Sequence, residues 1–270
     1  MRLIFYYQTT RVPLRALPDQ SYVYVSALHF RDGSLYLNDA LADSQTELWR
    51  HVESLDGVTT MVMLGGAGGA FGTLFADFDH YYAVLVDFLR ARPYLKGIDL
   101  DVEEQCELSD VRRLIGCLDE SFGADFAITM APVQSSLETD CPGMGGFSYR
   151  DLVHSPEGQR IDWFNTQCYD DYTCDAYDRI IANGYSPEKV VFGVCGDAYP
   201  DDCEEQVHRV YSKYGASMGG VFLWEYGDTQ IPPSRWSADM SRATSSLWNR
   251  LMAWWSRSNS DRTGSDFKRL

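Results

Sequence analysis

Lys96-Gly97-Ile98-Asp99-Leu100-Asp101-Val102-Glu103-Glu104 is the stretch on which the fold turns. In an extended chain successive side chains point to opposite faces, so Asp99, Asp101 and Glu103 share one face while Ile98, Leu100 and Val102 share the other. Residues two apart on a strand are about 6.5 Å apart, so three unpaired anions on one face repel one another and are costly to bury without a task. An ordinary strand with a solvated acidic face is one alternative, and a site for a hard cation is another. The alternating apolar positions oppose the first, and the lack of an EF-hand loop or a second acidic cluster opposes the second.

Working outward, apolar, β-branched and aromatic runs recur at residues 3–7, 22–28, 59–64, 97–102, 126–131, 162–169, 190–195 and 220–224. Helical periodicity fills most of the intervals, at 44–55, 77–90, 108–122, 149–159, 174–183 and 202–214, and again at 236–255. Strands alternating with helices of this length build right-handed βαβ units on a parallel sheet. Eight of them predict a single (β/α)8 TIM barrel over residues 1–257, with no large α+β insertion, followed by a mobile polar tail over 258–270. The first unit is degenerate, because Pro13 and Pro18 interrupt the segment after the first strand. Arg31-Asp32-Gly33-Ser34 predicts a small hairpin at the barrel rim.

Composition narrows the function. With 45% apolar and 14% aromatic residues the chain can build a large core. Twenty-three Lys+Arg against 39 Asp+Glu leave a net charge of −16, too acidic for a nucleic-acid or anionic-membrane surface, and neutral or cationic ligands are expected. The seven cysteines contain no C-x-x-C pair and suggest neither a disulfide framework nor a zinc site. The five histidines show no metal-ligand spacing, so no metal is expected. The apolar run at the N-terminus is too short for a signal-peptide core, and no run is long enough to cross a membrane. A soluble intracellular protein is expected, or a secreted one if a leader was removed; oligomeric state has no signal in the sequence.

Two motifs are decoys. Gly65-Gly66-Ala67-Gly68-Gly69-Ala70-Phe71-Gly72 follows a strand but holds neither G-x-G-x-x-G nor G-K-[ST], which favours close backbone approach at a barrel mouth over a nucleotide loop. Gly215-Ala216-Ser217-Met218-Gly219 matches G-x-S-x-G, yet a helix precedes it and a strand follows, the reverse of a nucleophile elbow.

Catalytic groups of a barrel sit at the C-terminal ends of its strands. Those ends supply the carboxylates, Met130-Ala131-Pro132, Gln167-Cys168-Tyr169-Asp170 and Trp224-Glu225-Tyr226. Carboxylates facing an amide, a phenol and an indole suit a sugar ring, which stacks its apolar face on aromatics while its hydroxyls take hydrogen bonds.

These residues resemble family 18 of the glycoside hydrolases, the chitinases and endo-β-N-acetylglucosaminidases. Residues 96–103 look like the signature D-G-x-D-x-D-x-E. Met63-Leu64-Gly65-Gly66 is similar to S-x-G-G, Met130-Ala131-Pro132 to M-A-P, Gln167 to Asp170 to Q/M-x-Y-D/N, and Gly219 to Trp224 to G-G-x-x-x-W. The motifs run in order across almost the whole chain. Lys96 and Met63 depart from the usual Asp and Ser, and the family's Ser helps to hold the inner aspartates, so different support around Asp99 is expected.

The resemblance implies substrate-assisted hydrolysis of β-1,4 bonds next to N-acetylglucosamine, without cofactor or metal. By it, Glu103 is the acid and base, Asp101 holds the acetamido N–H, Asp99 shares a proton or hydrogen bond with Asp101, and Tyr169 hydrogen-bonds the acetamido oxygen. Trp224 forms the floor, and Gln167, Asp170, Met130 and Tyr6 line the site. Neighbouring anions are expected to raise the pKa of Glu103. An N-acetylglucosamine oligomer or polysaccharide is the expected partner, with the N-glycan core, or a lectin that binds without cutting, as the rivals.

Overall fold

A computed structural model describes residues 1–15 and 17–245. The tail expected at 258–270, and the end of the barrel segment before it, lie outside the described residues.

Ten strands form one sheet: β1 (Arg2–Tyr7), β2 (Tyr22–Arg31), β3 (Ser34–Leu37), β4 (Ala40–Leu41), β5 (Thr59–Gly65), β6 (Leu95–Asp101), β7 (Ala127–Met130), β8 (Trp163–Gln167), β9 (Val190–Cys195) and β10 (Gly220–Trp224). Eight of these pair in parallel in the order β1-β10-β9-β8-β7-β6-β5-β2, and β1 pairs with β2, so the sheet closes on itself. The protein is a (β/α)8 barrel. The hairpin expected after β2 is present as β3 and β4, turning on Asp32 and Gly33 at φ 50° and 73°, as a tight turn of this hand requires.

Nine helices are described: α1 (Thr46–Glu53), α2 (Phe71–Ala76), α3 (Phe78–Arg90), α4 (Leu108–Phe122), α5 (Gln134–Glu138), α6 (Tyr149–Val153), α7 (Cys174–Ala182), α8 (Cys203–Tyr214) and α9 (Pro233–Ala243). Their apolar stripes fix their seating. In α4, Val111, Leu114, Ile115 and Leu118 recur at helical spacing and are buried against the sheet, each worth roughly 1.5–3 kcal/mol. Gly123, at φ 74°, ends that helix.

The helix expected over 149–159 is two pieces, α6 and a 3-10 turn at Glu157–Arg160, because Pro156 cannot donate into a continuous helix. As expected, no helix lies between β1 and β2 among the described residues. Between β9 and β10 the chain forms only α8 and a short turn, and no insertion domain is present.

The closed sheet divides the core. An inner cluster fills the barrel with Ile4, Tyr6, Tyr24, Met61, Met63, Trp163, Val191 and Phe222. A larger outer cluster, including Ile98, Leu100, Met130 and Phe164, joins sheet to helices. At the N-terminal end the Arg2 guanidinium lies 4.0 Å from the Trp163 ring centre, and its Nη1 donates to the carbonyls of Glu188 and Gly219. That end is plugged by a cation on an indole.

Candidate active site

The carboxylate ladder stands on β6 and the loop after it. Alternation along β6 buries Asp99 and Asp101 inside the barrel while Ile98 and Leu100 join the outer layer. Asp99 is completely buried and accepts three hydrogen bonds. Tyr6 Oη reaches Oδ2 at 2.7 Å, and Thr129 Oγ1 and Asn165 Nδ2 reach Oδ1 at 2.5 and 2.9 Å. Burial nevertheless outweighs these donors and raises its pKa from 3.8 to about 6.

One step higher, Asp101 is 6% exposed and accepts from Gln167 Nε2 at 3.2 Å. Its pKa is pushed well above the carboxylate range, first by burial and then by the charges of Glu103 and Asp99. Glu103 is half-buried at the mouth, and its pKa is raised by burial, against the opposing amide of Gln167. The upward shift expected from neighbouring anions is therefore present with a different main cause. Desolvation raises Glu103, and the repulsion registers on Asp101.

A cleft of about 270 Å³ opens above the ladder, lined by Asp101, Glu103, Gln167, Tyr169 and Trp224 together with Met63, Gln8, His29, Ala27 and the glycine-rich loop after β5. The Tyr169 phenol is held well above its ordinary pKa, by burial first and Asp101 next, and so remains a donor. Gln167 is anchored by a second bond from Nε2 to the Ala131 carbonyl at 2.8 Å. The Trp224 ring lies 5.3 Å from that of Tyr6, which carries it from below.

Three expected lining residues sit elsewhere. Met130 is fully buried and shares register with Leu100 and Phe164, so its side chain belongs to the outer layer. Tyr6 is buried beneath the cleft, where it serves Asp99 and does not line the wall. Asp170 is exposed in the loop after β8 and lines no part of the cleft.

Both departures in sequence resolve simply. Lys96 points out of the barrel and donates to the Pro93 carbonyl at 2.9 Å, remote from the inner face that Asp99 occupies. Met63 is buried beside Asp99 in register and offers it no donor; Tyr6, Thr129 and Asn165 supply the support instead. Thr129 and Asn165 escaped sequence reading, because their role depends on register across strands distant in the chain.

The glycine loop is part of the machinery. Gly65 has φ 97°, and a Cβ there would fall 2.4 Å from the Asp101 carbonyl oxygen. Gly66 N–H donates to that same carbonyl at 2.8 Å. Among the described residues no group of three or more His, Cys, Asp or Glu side chains could hold a metal ion, the seven cysteines are free, and no helix is long and apolar enough to cross a membrane.

Comparison with solved structures places this geometry. A fungal endo-β-N-acetylglucosaminidase from glycosyl hydrolase family 18 is 34% identical, with a TM-score of 0.80, over 90% of this chain and 98% of its own. The chain belongs to glycoside hydrolase family 18. Chitinase ChiC from Aspergillus fumigatus is also similar, at 32% identity and a TM-score of 0.76, covering 90% of this chain and 99% of its own. Chitinase RmChi1 from Rhizomucor miehei, at 17% identity and a TM-score of 0.64 over 83% of this chain and 94% of its own, shares the fold. A scan of protein-family models and a search of curated proteins returned no match. As a family 18 member the protein is a glycosidase.

Proposed function

We propose that the protein hydrolyses β-1,4 bonds next to N-acetylglucosamine with retention, using the substrate's acetamido group as nucleophile. The observation that carries this reading is the acid inventory of the cleft. Its acidic lining residues are Asp101 and Glu103, and Asp101 is buried and biased toward its protonated form, a poor nucleophile. A retaining enzyme with its own nucleophile needs a free carboxylate about 5–5.5 Å across the bond from the acid. With none provided, the nucleophile comes from the sugar.

In the first step the acetamido oxygen bonds to C1 as the C1–O bond to the leaving sugar breaks, and Glu103 delivers its proton to that departing oxygen. Tyr169 donates to the acetamido oxygen and aligns it. Asp101 accepts the acetamido N–H through its carbonyl oxygen, which holds the acetamide in place as the oxazolinium ring forms. Water then attacks C1, Glu103 takes the water's proton, and the ring reopens to the acetamide with the original anomeric configuration restored.

Chitin-type oligomers are the leading substrate. The N-glycan core is the second reading, favoured by the endo-β-N-acetylglucosaminidase among the similar structures. The test pairs chitooligosaccharides with a high-mannose glycopeptide, on wild type and on Glu103→Gln. Loss of general acid catalysis should cut turnover about 10²–10⁴-fold and leave glycan binding within a few-fold of wild type. Wild-type turnover by the variant would remove Glu103 from its role.

A further inference from the structure

We propose that His29 is a glycan-contacting residue of the cleft, and that Glu104 is its positioning residue, acting through the glycine loop. The inference rests on the glycosidase reading above and adds two side chains that the mechanism leaves unused.

His29, on β2, lines the cleft with Asp101, Glu103 and Trp224. Its Nδ1 lies 2.6 Å from the carbonyl oxygen of Gly69. A carbonyl only accepts, so Nδ1 carries the hydrogen, and on the neutral ring Nε2 is the acceptor. Nε2 has no hydrogen-bond partner among the described residues, and it is not one of the buried orphaned atoms, so this cleft-lining residue keeps an unused, accessible acceptor. The ring is pressed against Gly68, where a Cβ would come within 2.6 Å of its Cε1. The imidazole is thus held by the bond from Nδ1 and by the close approach of its Nδ1–Cε1–Nε2 edge to the bare Gly68.

Glu104 fixes the loop that does the holding. Its two carboxylate oxygens receive the N–H groups of Ala70 at 2.8 and 3.0 Å and of Gly72 at 3.1 Å each. Gly69, at φ 72°, sits against the same carboxylate, with room for no Cβ. The residue after the acid therefore pins one end of the turn whose carbonyl pins His29. The ligand group that suits a neutral Nε2 is an O–H donor, and the carboxylates nearby exclude an anionic sugar. A hydroxyl of a neutral sugar is the expected contact.

The test uses whichever glycan of the pair wild type cuts, with KM and kcat measured separately. His29→Ala should raise KM about tenfold, the value of one hydrogen bond, and change kcat little. His29→Gln puts its amide near the position of Nε2 and should recover most of the loss, whereas His29→Asn keeps a donor for Gly69, lacks the reach, and should behave like Ala. Glu104→Ala should raise KM similarly, and in the double variant the two losses should not add. If Glu104→Ala does not fold, Gly68→Ala displaces the imidazole independently and should reproduce the loss. Wild-type KM in His29→Ala or His29→Asn, or additive losses in the double variant, would overturn the inference. Failure of wild type to cut or bind either glycan would overturn the functional reading instead.

Discussion

Asp99 shows what burial does to a single carboxylate. In the unfolded chain it titrates near 3.8 and in the fold near 6, so the folded state holds the proton more tightly. Its contribution to stability is fully present below about pH 3.8 and is lost as pH rises through about 6. Asp99→Asn cannot titrate. Relative to wild type, its unfolding free energy should rise by up to about 3 kcal/mol across that window, whatever constant offset the substitution brings, and denaturation at a series of pH values measures it. A pH-independent difference would mean that folding leaves the pKa of Asp99 unshifted. Tyr169→Phe, which removes one donor to the acetamido oxygen, should lower kcat about 10²-fold with an unchanged fold, as steady-state kinetics would report. The ladder itself was legible in the sequence because period-two alternation is local. Its support was not, since Thr129 and Asn165 reach Asp99 only through the register of β7 and β8.

Among the elements, strands and most long helices followed from periodicity, while the short helices did not; of the helix expected over 236–255, α9 covers Pro233–Ala243 and the stretch from 246 lies outside the described residues. α2 and α5 are too brief for an apolar stripe to stand out, and the interruption of 149–159 at Pro156 came from chemistry that outweighed the pattern. Met130 was misplaced for a related reason. The M-A-P motif marks the end of a strand, but which face a side chain takes depends on one residue of register. The β5–α2 loop carries its own prediction. Gly65→Ala forces a side chain into the left-handed region and against the Asp101 carbonyl, so it should destabilise the protein by roughly 3 kcal/mol. Urea denaturation would measure the change, and a shift below about 1 kcal/mol would mean that the loop relaxes away from β6.

For the molecule as a whole, the short path from β9 to β10, with α8, one turn and no inserted domain, adds no further wall beside the cleft. We expect internal cleavage of long chitooligosaccharides, with a spread of product lengths from the first turnovers in a chromatographic time course. Release of disaccharide alone would point to exo or processive action. The fold was legible at this scale because eight alternating units admit few closures.

The plugged floor has a kinetic meaning for the ladder above it. Asp99 is sealed from water, its three partners are themselves buried, and Arg2 on Trp163 stoppers the far end. Bulk solvent can load or unload a proton on the inner aspartates only through the mouth, where the glycan sits. A glycan in the cleft would cover that route, so the protonation of Asp99, unlike that of Glu103, would be set before binding.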